Sequence, residues 1–152
     1  MNKRALFPGS FDPITVGHVD IVNRSINLFD KLIIGVGINT NKQTMFGIDQ
    51  RMDWIEKTFS GNQKIEVIAY DGLTVDFAKK CSAQYILRGL RTSTDFQFEK
   101  AIAQMNLYMN NQIETVFILS TPQYSPVSST IVRDIIRHGG NVKQFVPDSV
   151  KY

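Results

Sequence analysis

The chain has 152 residues, 43% hydrophobic and 20% charged, which are the proportions of an ordinary globular domain and exclude a disordered or collagen-like one. Seventeen Lys and Arg against fourteen Asp and Glu leave a net charge of +3, too weak for a protein that coats nucleic acid and suited to a small anionic ligand if the basic residues converge. One cysteine, Cys81, and two histidines exclude an intrachain disulfide and a Cys/His zinc cluster, and favour a reducing compartment. The length predicts one domain over residues 1–152, with about 68–70% of the unfolded surface buried on folding. Lys3-Arg4 leads into no signal-peptide core, because Ala5-Leu6-Phe7 stops at Pro8-Gly9. The longest apolar run, Leu32 to Ile38, is far below the ~20 residues of a membrane span. A soluble, cytoplasmic protein with no membrane partner is expected.

In chain order, Arg4 to Phe7 reads as a first strand stopped by Pro8-Gly9. His18 to Asp30 places Val19, Ile21, Val22, Ile26 and Phe29 on one helical face. Lys31 to Ile38 is a continuous apolar run, a buried strand, and 39–42 a polar loop. Asp49 is placed to cap a helix running through Phe59, on which Trp54 packs against the sheet. Lys64 to Ala69 is a third strand, Tyr70-Asp71-Gly72 a turn, Thr74 to Ser82 a short helix, and Tyr85 to Leu87 a fourth strand. Asp95 to Asn111 is the longest helix, with Phe98, Ala101, Ile102, Met105 and Met109 as its apolar, core-facing stripe. Thr115 to Leu119 is a fifth strand, and Ser128-Ser129-Thr130 opens a last helix stopped at His138-Gly139-Gly140. Strands alternating with helices predict a single-domain, doubly wound α/β fold with a mostly parallel five-stranded sheet. Such sheets bind ligands beyond the carboxyl ends of their strands.

Several familiar chemistries are missing. No G-x-x-x-x-G-K-[ST] phosphate loop or G-x-S-x-G elbow occurs, and Gly35-Val36-Gly37 lies inside a strand with Thr40 where a third glycine would be needed. The richest segment is Pro8 to His18, where glycines and prolines shape a loop into a helix. Free N–H groups and a positive dipole end there suit an anion, with Ser10 adding a hydroxyl and His18 a ring N–H. A plain strand-to-helix turn reads the same way. Arg88-Gly89-Leu90-Arg91 follows the fourth strand; two guanidinium forks match phosphate oxygens, or form a solvated turn. The hydroxyls of 128–130 follow the fifth strand as phosphate ligands or as helix caps. Lys42 follows the second strand. Four weak signals on one sheet edge point to a polyphosphate, hence to a nucleotide.

Gly9-Ser10-Phe11-Asp12-Pro13 with Thr15-Val16-Gly17-His18 resembles the nucleotidylyltransferase superfamily that carries an (H/T)xGH motif, in its threonine version. Arg88-Gly89-Leu90-Arg91, Asp95-Phe96, Glu99 and Ser128-Ser129-Thr130 narrow the resemblance to the bacterial phosphopantetheine adenylyltransferase family, over nearly the whole chain. Ser10 stands where many members have threonine, with the hydroxyl kept, and many members run on beyond the position of Tyr152. The resemblance implies sheet order 3-2-1-4-5, and transfer of AMP from ATP to 4′-phosphopantetheine with Mg²⁺ as cofactor, giving dephospho-coenzyme A and pyrophosphate. It implies an ATP site of Ser10, Phe11, His18, Gly89, Leu90, Arg91, Glu99, Tyr124, Ser125, Pro126, Val127, Ser128, Ser129 and Thr130. It implies a pantetheine site of Ser10, Lys42, Thr74 and Arg88, with Met105 near the pantetheine arm. Ser10, His18, Lys42 and Arg91 are the implied catalytic residues, the metal ligands are unassigned, and a homohexamer is expected.

The acceptor phosphate is already an anionic nucleophile, so catalysis reduces to positioning and electrostatic stabilisation without a covalent enzyme intermediate. The helix dipole opposes a charged His18 and the phosphates favour it, which leaves its protonation open at this point. Rival readings are a nicotinamide-mononucleotide adenylyltransferase, a glycerol-phosphate cytidylyltransferase, a non-catalytic nucleotide-binding module and an RNA-binding protein. The Arg88–Arg91 segment with Glu99 argues against the first two, His18 with Lys42 against the third, and the lack of a basic-aromatic stripe against a nucleic-acid partner.

Overall fold

A computed structural model describes residues 2–38 and 41–152, so Asn39 and Thr40 of the expected polar loop lie outside the described residues. Strands β1 (Arg4–Gly9), β2 (Lys31–Gly37), β3 (Ile65–Tyr70), β4 (Tyr85–Leu90) and β5 (Glu114–Leu119) alternate with helices α1 (Val16–Ser25), α2 (Ile48–Thr58), α3 (Thr74–Lys80), α4 (Ser93–Met109) and α5 (Ser129–Arg137). The strands form one parallel sheet in the order β3-β2-β1-β4-β5, as the resemblance implied. The order reverses at β1, beside β4, where a doubly wound sheet opens its ligand crevice.

The inner positions of β1 and β2, Ala5 to Pro8 and Leu32 to Val36, are apolar because both faces of these strands are covered. Ala5 and Phe7 of β1, with Leu32, Ile34 and Val36 of β2, pack into a large cluster with α1, α2 and α5 residues such as Ile21, Trp54, Ile55 and Val132. Leu6, Ile33 and Ile86 point to the other face, against Val75 and Ala78 of α3. Trp54 is buried edge-on against Phe46, and Cys81 is a small packing residue beside the second cluster.

Several boundaries differ from the sequence expectation, each for a physical reason. β1 continues through Pro8-Gly9. Pro8 registers with Gly35 of β2, while pairing with β4 is confined to Ala5 and Leu6. The Pro8 carbonyl faces Arg88 of β4, so its missing N–H faces that unpaired side as well and the β2 ladder loses no donor. β4 runs to Leu90, so Arg88 and Gly89 lie in the strand and not after it, opposite Phe117 and Ile118 of β5. α1 begins at Val16 and ends at Ser25, whose hydroxyl donates back to the Ile21 carbonyl, before a 3₁₀ turn over Ile26–Leu28. Gly47, not Asp49, is the cap residue of α2, and Asp49 sits in its first turn. Tyr70 closes β3, and α3 stops at Lys80. α4 starts two residues early because Thr92 caps it by accepting the Asp95 N–H. Ser128 caps α5 as one of the two expected readings had it, and Gly139 at φ +73° follows its end.

α4 overturns its expected packing. Phe98, Ile102, Met105 and Met109 are exposed, Met105 at 59%, whereas the residues it buries are Glu99 and Asn106. Glu99, Ala103 and Asn106 share one helical face by their i, i+4, i+7 spacing, and that face walls a cavity. The polar groups α4 buries, Glu99 and Asn106, thus border that cavity and not the apolar core.

Candidate active site

Two cavities open beyond the carboxyl ends of the strands. The larger, about 650 Å³, is bordered by Gly37, Tyr70, Leu73 and Thr74 on one side and by Ile102, Ala103 and Asn106 of α4 on the other. The smaller, about 320 Å³, is bordered by His18, Lys42, Arg91, Tyr124 and Val127–Thr130. Pro8, Gly9, Ser10, Arg88 and Glu99 border both. Ser10, with Arg88, therefore stands at the point where contents of the two cavities would meet.

The loop after β1 is braced from beneath. The Asp12 carboxylate accepts the N–H groups of Met45 and Phe46, each at 2.9 Å, on the segment that follows Lys42. Buried Arg51 donates to the carbonyls of Phe46, Ser10 and Gly37, tying this loop to the end of β2 and the entry to α2. Burial draws the Arg51 pKa below the ordinary guanidinium value, opposed by the Asp12 charge. Phe11 adopts a left-handed φ of +47°, a strain of about 1–3 kcal/mol, and its buried ring packs edge-on against Phe7 and His18. A side chain at Gly9 would meet that ring at 3.0 Å.

Thr15 and His18 form a capping box at the start of α1. The Thr15 hydroxyl accepts the His18 N–H, and the Thr15 backbone N–H donates to His18 Nδ1 at 3.0 Å. A backbone amide can only donate, so Nδ1 carries no proton and the neutral ring carries its proton on Nε2. Burial, then the charges of Arg88 and Arg91, lowers the His18 pKa to about 4. The protonation question left by the sequence is answered for the free protein: His18 is a neutral N–H donor on the wall of the smaller cavity.

Arg88 is held by a bidentate pair with Glu99, Nε to Oε2 at 2.8 Å and Nη2 to Oε1, while Nη1 donates to the Pro8 carbonyl at 2.8 Å. Its remaining N–H groups are left for a ligand. Glu99 is thereby the group that aims Arg88. Arg91 pairs with Asp95 at 3.3 Å and borders only the smaller cavity. At α5, Ser128 accepts the Ile131 N–H, Ser129 Oγ donates to the Pro13 carbonyl at 2.8 Å, and Thr130 Oγ1 accepts from Arg133. The hydroxyl proton of Ser129 is thus committed to the loop, while a helix N-terminus such as that of α5 offers amides suited to an anion.

Of the residues expected at the nucleotide site, Ser10, Phe11, His18, Gly89, Arg91, Glu99, Tyr124, Val127, Ser128, Ser129 and Thr130 border the smaller cavity. Leu90, Ser125 and Pro126 border neither, and the Leu90 side chain is buried. Of the pantetheine set, Ser10, Arg88 and Thr74 border the larger cavity, the Thr74 hydroxyl lying 3.0 Å from that of Tyr70, and Lys42 borders the smaller. Met105 borders neither. Sequence reasoning missed Asp12, Arg51 and Arg133, and the Tyr70–Leu73 wall. Thr15-x-x-His18 has the spacing of a capping box, which could have signalled the His18 tautomer.

Residues 6–135 match the family model described as cytidylyltransferase-like. The phosphopantetheine adenylyltransferase of Flavobacterium johnsoniae is 52% identical over 98% of this chain and 97% of its own. That of Lachnoclostridium phytofermentans is 44% identical over 97% of this chain and 91% of its own. The fold is shared with a putative nicotinate-nucleotide adenylyltransferase from Vibrio parahaemolyticus, TM-score 0.72 at 16% identity, covering 98% of this chain and 90% of that one. Sheet order, capping box and these matches agree, and the chain belongs to the cytidylyltransferase-like family and, within it, to the phosphopantetheine adenylyltransferases.

Proposed function

We propose that the chain transfers AMP from ATP to 4′-phosphopantetheine, giving dephospho-coenzyme A and pyrophosphate. The observation that carries this reading is the common wall of the two cavities. One space suits a nucleotide triphosphate and the other a long amide-bearing arm, and they join at Ser10 and Arg88. The pantetheine arm fills the larger space between Thr74 and Asn106, with its phosphate at Ser10 and Arg88. ATP fills the smaller space, its phosphates on the amides of Phe11 and of the first turn of α5, with Gly89, Tyr124 and Val127 to Thr130 around it.

An acceptor phosphate oxygen forms a bond to the α-phosphorus of ATP as the bond to the pyrophosphate oxygen breaks, and pyrophosphate leaves with the electron pair. No protein nucleophile takes part. His18 Nε2–H, Lys42 and Arg91 stabilise the charge that builds on the α-phosphate oxygens, in a site organised before substrate arrives. A neutral His18 suits this task, because it donates without attracting other anions.

Among the described residues no three His, Cys, Asp or Glu side chains cluster to hold a metal ion. Asp95 and Glu99, which border the smaller cavity, are paired with arginines. The described residues form no cage of carboxylates for Mg²⁺; bound together with the nucleotide, the ion would neutralise phosphate charge. The exposed apolar stripe of α4 supports contacts between copies, and a cytoplasmic homohexamer is proposed. Among the described residues no helix is long and apolar enough to cross a membrane.

The test is pyrophosphate release from ATP and Mg²⁺, with and without 4′-phosphopantetheine. Release is expected to depend on 4′-phosphopantetheine. Equal release with nicotinamide mononucleotide as acceptor would reject the assigned substrate. Sedimentation measures the assembly.

A further inference from the structure

Two groups of donors around the smaller cavity sit on pieces of chain far apart in sequence, the loop after β1 and the first turn of α5. Arg133, on the second turn of α5, bridges them. Its Nη1 donates to the Asp12 carbonyl at 2.8 Å and lies 3.8 Å from Asp12 Oδ2, and its Nη2 donates to Thr130 Oγ1 at 3.3 Å. The side chain is only 14% exposed and borders the cavity. The Asp12 carboxylate already accepts two amides from the segment after Lys42, so neutralising that carboxylate is not the main task of Arg133. Its shortest bond goes instead to the backbone of the loop that carries Ser10 and Phe11. Through Asp12, one guanidinium therefore connects the Ser10 loop, the segment following Lys42 and the start of α5.

We propose that Arg133 is a positioning residue for adenylyl transfer, holding the Ser10–Pro13 loop and the first turn of α5 at the separation that lets both address one triphosphate. The proposal rests on the adenylyl-transfer reading above. An arginine that only bound phosphate charge would act on ATP affinity. One that sets the relative placement of two groups of donors acts on turnover, because that geometry matters most in the transition state. Small misplacements of this kind cost up to about 10²-fold in rate.

Steady-state kinetics with ATP and 4′-phosphopantetheine, together with melting curves, provide the test. Arg133→Met is expected to lower kcat by about 10- to 100-fold, with both KM values within about threefold of the parent. Arg133→Lys, which keeps a donor for the Asp12 carbonyl, is expected to recover most of the loss. A kcat for Arg133→Met within about twofold of the parent overturns the proposal. So does a large rise in KM for ATP at unchanged kcat, and so does a lysine variant no better than methionine. Should Arg133→Met fail to fold, Arg133→Gln is read by the same criteria. A parent protein inactive with 4′-phosphopantetheine would reject the substrate assignment instead, which separates the two failures.

Discussion

The backbone N–H of Thr15 reaches Nδ1 of His18 across 3.0 Å, and this one contact decides which nitrogen of the ring can face a ligand. The motif threonine and histidine are thus the two ends of a helix cap, and both border the smaller cavity. Structure and chemistry at His18 can be separated by mutating the two residues individually.

His18→Ala removes the ring N–H proposed to stabilise the α-phosphate in the transition state. Turnover is expected to fall by ~10²–10³, with both substrates still binding within a few-fold of the parent. Direct ATP titration and steady-state kinetics on one preparation check this. Turnover within about threefold of the parent, under ~1 kcal/mol of transition-state stabilisation, would remove the catalytic role.

Thr15→Ala has the opposite pattern. It removes the side-chain half of the cap, worth about 0.5–2 kcal/mol, but leaves the backbone N–H that holds Nδ1. A lowered melting temperature with turnover near the parent value is expected. Loss of turnover without loss of stability would show that the hydroxyl has a part in the chemistry.

Stability should also report the lowered pKa of His18. An unfolded chain binds a proton at this histidine below about 6.5, and the folded one only near 4. The unfolded state is therefore favoured increasingly as pH falls from about 6.5 to about 4, and not further below that. The loss is on the order of 3 kcal/mol. In chemical denaturation from pH 7.5 to 4.5, His18→Gln should show a shallower pH slope than the parent. Equal slopes would mean that His18 titrates normally in the folded protein.

Arg88→Ala is expected to weaken phosphopantetheine binding, and also to destabilise the fold by about 2–3 kcal/mol, since it strands the Glu99 carboxylate. Adding Glu99→Ala should restore much of the stability and none of the affinity. Calorimetric titration of each substrate, with melting curves of the single and double variants, checks both halves. A double variant no more stable than Arg88→Ala would rule out the stranded-charge account.

The alternation of apolar strands and helices was readable because β1 and β2 are covered on both faces and have no polar interruptions. The phosphate-suited residues were readable because they lie in strand β4, in the segments that follow strands β1, β2, β4 and β5, or at the start of the next helix. α4 was misread for a definite reason. Its apolar stripe at Phe98, Ile102, Met105 and Met109 has the period of a core face, but Glu99 and Asn106 occupy the inner side because that side borders a cavity. Periodicity reports which face is apolar and not what that face meets. Asp12, Arg51 and Arg133 were invisible for another reason: their partners lie 3 to 121 residues away, and most are backbone carbonyls and amides, which carry no sequence signature.

The shared wall at Ser10 has a consequence for inhibition. Pro8, Gly9, Ser10, Arg88 and Glu99 border the two spaces together, so a single molecule reaching over this shared wall would contact both. Joining an adenylate-like head to a pantetheine-like tail by a neutral linker would make the second binding event intramolecular, at an effective concentration of the order of millimolar for a short linker. Such a compound would also avoid bringing two phosphate chains together. It should bind more tightly than either half by a factor that depends on linker length, with an optimum where the linker just clears Ser10.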